Sequence, residues 1–158
     1  MTLKHFFSFA LLVAIFSFSF QSAKAQTTYT WEDYSLEFTV PAGFQETANS
    51  GEKFEGKSDR AGIFLFGLYP LSDASITSDN LADMLVELAA ETGMEVGEAE
   101  AISFNGFEGY YAEGEIEGVP TFFACMLDPE GETNFIISIL HNNATDTAVK
   151  IVTSIHKL

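Results

Sequence analysis

The chain has 158 residues, 23 of them acidic and seven basic, and is 47% hydrophobic with 16 phenylalanines and a single cysteine. That is enough apolar material for one packed domain without disulfide staples. The net charge of −16 would repel nucleic acid and anionic membrane surfaces alike.

Residues 1–25 read as a secretory signal peptide. Lys4 and His5 precede an apolar run over 6–20, and Ala23-Lys24-Ala25 offers a small-x-small cleavage site. The run is too short and too interrupted by serine for a membrane span, and no cysteine follows it to carry a lipid anchor. The predicted mature chain starts at Gln26 and forms one domain over 26–158, with five basic against 23 acidic residues, a formal charge of −18. These features predict an exported protein, periplasmic or secreted, with no membrane insertion after signal removal.

Along the mature chain, residues 29–31 and Leu36–Val40 read as extended. In the second run Leu36, Phe38 and Val40 alternate with Glu37 and Thr39, as in a strand with one wetter face near a sheet edge. Pro41-Ala42-Gly43-Phe44 breaks it. The polar stretch 45–60 is expected to be loop apart from one short strand around Phe54. Asp59-Arg60-Ala61-Gly62 then turns into a strand over 63–69 that is apolar on both faces. A helix follows, capped by Ser78 or Asp79, with Leu81, Met84, Leu85 and Leu88 as its apolar stripe and Gly93 as its stop. Residues 94–104 read as one strand.

Three strands form the centre: Phe107–Ile116, Val119–Leu127 and 133–140. The expected turns are Glu117-Gly118, where Gly accepts positive φ, and Asp128-Pro129-Glu130-Gly131, where Gly131 is assigned a left-handed conformation. The first turn sets a register of Tyr110 opposite Cys125, Ala112 opposite Phe123 and Gly109 opposite Met126. A last helix is predicted from about Asn143, with Ala148, Ile151, Val152 and Ile155 inward and Lys150 and Lys157 outward. Because the central strands are apolar on both sides, they need cover on both sides. Two amphipathic helices for two faces predict an α/β (α+β) fold: an antiparallel sheet with a helix on each face, an α/β/α sandwich.

The strand ending in Val40-Pro41-Ala42-Gly43-Phe44, the hairpins, single helix, antiparallel run and closing Thr153-Ser154-Ile155 segment resemble the PsbP and Mog1 group of small α/β/α sandwich proteins. That resemblance implies a binding or assembly role without chemistry of its own, and it assigns no site residue.

Enzyme motifs are missing: there is no His-Glu-x-x-His, Gly-x-Ser-x-Gly, phosphate loop or dinucleotide fingerprint. Nothing calls for a cofactor. Cys125, mid-strand, reads as a small buried hydrophobe and not as a nucleophile. Two acidic groups are candidates for a divalent cation. Glu113, Glu115 and Glu117 alternate along one side of a strand, while Asp128, Glu130 and Glu132 are spaced like the start of a calcium loop, although Pro129 intrudes. The bland reading of both is a solvated face that discourages edge pairing. The sequence therefore predicts a non-catalytic exported binding or assembly module with an unknown protein or small-molecule partner. The alternative is a carboxylate-based cation-binding or hydrolytic protein.

Overall fold

The computed structural model describes residues 26–73 and 75–158; the signal segment and its cleavage site lie outside the described residues. In chain order, β1 (Thr27–Trp31) and β2 (Leu36–Val40) form a hairpin. β3 (Gln45–Ser50), β4 (Lys53–Ser58) and β5 (Ile63–Pro70) make an antiparallel meander. α1 (Leu81–Glu91) leads to β6 (Glu95–Val96) and β7 (Glu100–Phe104). Then come β8 (Phe107–Ile116), β9 (Val119–Leu127), β10 (Phe135–His141), α2 (Thr145–Ser154) and β11 (His156–Lys157).

The strands form two sheets. The larger runs β3-β4-β5-β10-β9-β8, with β6 and β7 both paired to the far side of β8; the smaller is β1-β2-β11. Glu117 and Gly118 take φ of 51° and 79°, as a two-residue hairpin turn requires. The expected register around this turn is present, with Tyr110 opposite Cys125, Ala112 opposite Phe123 and Gly109 opposite Met126.

The expected α/β/α sandwich is not what forms: the chain is mostly β, and one face is covered by a second sheet. On the first face, Leu81, Leu85 and Ala89 of α1 pack with Ala112, Phe123 and Cys125. On the second, Trp31, Leu36, Phe38 and Val40 of the small sheet pack with Phe54, Phe66, Phe107 and Phe135. Phe38 stands edge-on to Phe54 and Phe66, with ring centroids 4.8 and 5.1 Å away. α2 adds Ala148, Ile151, Val152 and Ile155 to this same core and packs chiefly against β2.

Width explains the difference. Ten helical residues extend about 15 Å, whereas seven neighbouring strands at about 4.8 Å spacing are about 29 Å wide. One helix cannot roof such a sheet, and the aromatic face of β1 and β2 completes the cover.

Several local expectations also change. The stretch 45–60 holds two strands, because Phe54, Gly56 and Ser58 alternate inward against Lys53, Glu55 and Lys57; the small inward residues hid the period. β2 is the middle strand of the small sheet, not an edge strand. Residues 94–104 are two collinear strands, β6 and β7, separated by a one-residue mismatch in register along β8. The position before α1 is Asn80, with no side-chain cap bond; its Oδ1 instead accepts from the Thr77 N–H at 2.8 Å. Gly131 is not left-handed. The side chain of Asp128 lies against its α-carbon, leaving no room for a Cβ. Lys157 does not point outward from a helix; it lies in β11 and pairs with Asp128.

Candidate functional site

A half-open groove of about 600 Å³ lies on the α1 face of the large sheet. Its floor follows from strand register, since residues paired across an antiparallel sheet project to one side. Ser103, Glu108 and Leu127 form one rung across β7, β8 and β9, and Ala101, Tyr110 and Cys125 form the next. The walls are Ile76, Ser78 and Leu81 at the entry to α1, and Pro129 and Asn134 at the β9–β10 turn. The floor is tight: Gly109 sits so close to the carbonyl of Cys125 that a Cβ there would collide with it.

The β7–β8 turn holds the two strands of the floor in register. Asn105 and Gly106 have φ of 48° and 86°, a two-residue turn of the Asn-Gly type. The Asn105 side-chain amide donates to the Thr153 and Ile155 carbonyls at 2.9 and 2.8 Å. These bonds tie the hairpin to the end of α2.

The β9–β10 turn is held with similar economy. The Asp128 N–H donates to Asn134 Oδ1 at 2.9 Å, and Asp128 Oδ1 accepts from the Glu130 N–H at 3.3 Å. Lys157 Nζ reaches the same oxygen at 2.7 Å while lying 5.8 Å from the Phe107 ring centroid. Asp128 is buried and its charge is balanced, so it stabilises a turn.

The six candidate cation ligands are therefore not gathered. Asp128 belongs to Lys157, and Glu130 and Glu132 are exposed on the turn. Glu113 and Glu115 are exposed on β8, and Glu117 sits in its hairpin turn. Among the described residues, no three His, Cys, Asp or Glu side chains stand close enough to hold a metal ion.

The reactive groups lie elsewhere too. Cys125 is fully buried, and burial pushes its thiol up to about 12. His141 is buried at the end of β10, where Nδ1 accepts the Ala144 N–H at 3.1 Å. Burial holds its pKa below the usual imidazole value, with Glu113 opposing. His156 lies 3.3 Å from Glu37 in the small sheet. Neither histidine lines the groove.

A second depression, about 510 Å³, exists because α1 leaves part of its face open. It is lined by Leu65, Tyr69, Ile116, Phe123, Ile136 and Leu140, with Leu88 at the helix side. The Tyr69 hydroxyl donates to Glu55 at 2.9 Å, and Lys53 pairs with the same carboxylate. Burial first, and then the bond to Glu55, raise the Tyr69 pKa.

The groove was not legible as a site in the sequence, because its residues come from separate strands and turns. One signal was available. Asn105-Gly106 marks a hairpin turn, and that turn alone would have placed Ser103 across from Glu108.

No protein-family model matches the chain, and no curated protein matches it. Among solved structures, a protein from Bacteroides thetaiotaomicron VPI-5482 is similar at a TM-score of 0.52 and 9% identity. The match covers 84% of this chain and 48% of that one, so this chain spans about half of its neighbour. At that identity the likeness concerns the fold alone, and it does not bear on the PsbP and Mog1 resemblance.

Proposed function

We propose that this protein is a non-catalytic, exported binding or assembly module whose ligand occupies the groove between α1 and the β7–β8 hairpin. The observation that carries the reading is the groove itself, half-open, where Ile76, Leu81, Leu127 and Pro129 offer apolar contact among the polar groups of Ser78, Ser103, Glu108, Tyr110, Asp128 and Asn134. A concave site where apolar contacts and several polar groups converge can hold and orient a ligand. The dispersed carboxylates favour this reading over the cation-dependent alternative.

A fragment screen by amide NMR tests it. Hits should perturb the amides of Ala101, Ser103, Tyr110 and Leu127, and Ser103→Trp, which fills the groove from an exposed strand position, should abolish them. Hits that map only elsewhere, or that survive Ser103→Trp unchanged, would overturn the proposal.

A further inference from the structure

We propose that the occupant of the groove is an extended, basic segment of a partner protein that adds as a strand to the free edge of β7. This specifies the ligand of the binding role inferred above and rests on it.

The hairpin geometry comes first. In a two-residue turn the closing pair, here Phe104 and Phe107, exchanges both backbone hydrogen bonds, and bonded pairs alternate from there. Glu100 and Ile102 are then bonded to β8, while the backbone groups of Ala101 and Ser103 point away from it. Among the described residues, no strand pairs with β7 on that side, and no turn or loop backbone hydrogen bond reaches 100–104. This leaves a row of open donors and acceptors, which is a template for an added strand.

Ala101 and Ser103 are also the residues that floor the groove. A strand laid along this edge would set alternate side chains beside Ala101 and Ser103, on the groove side of the sheet. Edge and groove therefore serve one extended ligand together.

Charge selects its type. Glu98 and Glu100 are exposed along this edge, Glu108 is exposed on the groove floor, and no lysine or arginine lines the groove. A second copy pairing edge to edge would bring these glutamates together, which is unfavourable. A segment carrying lysine or arginine would meet them with opposite charge.

The test is fluorescence anisotropy of the protein with a labelled peptide alternating lysine and valine. Saturable binding is expected, weakening as salt rises, with hydrogen-exchange protection at Ala101 and Ser103. Methylating alternate backbone nitrogens of the peptide should weaken binding about tenfold or more, since open edge groups lose their partners. Ala101→Pro should do the same, because it removes an outward N–H and spares the bonds to β8. Ser103→Pro is the second variant, and the methylated peptide needs no variant at all. A glutamate–valine peptide should not bind.

Equal binding of the methylated or the glutamate peptide would overturn the inference. A concentration-dependent dimer abolished by Ala101→Pro would also overturn it, in favour of a second copy. If no peptide binds while small fragments still occupy the groove, the strand inference falls and the binding role stands. If neither binds, both fall.

Discussion

Replacing Phe38 with alanine tests whether the small sheet is a structural roof or a loose appendage. Phe38 is fully buried on β2, between Phe54 and Phe66. Truncating a buried phenylalanine costs about 3–5 kcal/mol in lost transfer energy and residual cavity. Each edge-on aromatic pair lost adds about 0.5–1.5 kcal/mol beyond area burial, which places the expectation in the upper half of that range. For a domain of this size each kcal/mol lowers the melting temperature by about 3 °C, so a fall of roughly 12–15 °C is expected. In urea, the midpoint should drop with an unchanged slope. Thr39→Ala, one residue along on the opposite side of the strand, is the control. Its backbone N–H still donates to Ser154 Oγ at 2.9 Å, and the cost should stay within about 0.5 kcal/mol. If Phe38→Ala cost less than about 1 kcal/mol, or no more than Thr39→Ala, the second sheet would not be what covers that face.

Cys125 should react slowly with a thiol reagent in the native protein and quickly in denaturant, since it is fully buried with its thiol pushed up to about 12; fast native labelling would contradict the two-sided burial. His141 predicts an acid sensitivity of definite sign. Its folded pKa lies below the ordinary 6.5, so the unfolded chain binds the proton more readily. The stability from the neutral ring is fully present above about pH 6.5 and is lost as pH falls through the lowered value. His141→Asn keeps an acceptor for the Ala144 N–H but does not titrate, and should flatten this part of the profile. Identical acid limbs for both proteins would refute it.

The sequence by itself determined whatever depends on neighbours in the chain. Glu117-Gly118 set the central turn, and the turn then dictated which residues oppose each other across β8 and β9. The leucine stripe and Gly93 defined α1, and inward Ala148, Ile151 and Val152 defined α2. Local rules suffice there, because a hairpin register or a helix face is fixed within a few residues. Only the tertiary structure decided what lies over what. Residues 45–60 become strands because Phe54 finds Phe38 and Phe66, a partnership their polar neighbours do not announce. Lys157 turns from an expected surface charge into the partner of Asp128, 29 residues away. The groove gathers residues of β7, β8, the β9–β10 turn and the entry to α1, which are far apart along the chain. Counting helices against faces could not reveal what covers each face, because coverage depends on the width of the assembled sheet, a quantity that no single segment of the chain contains.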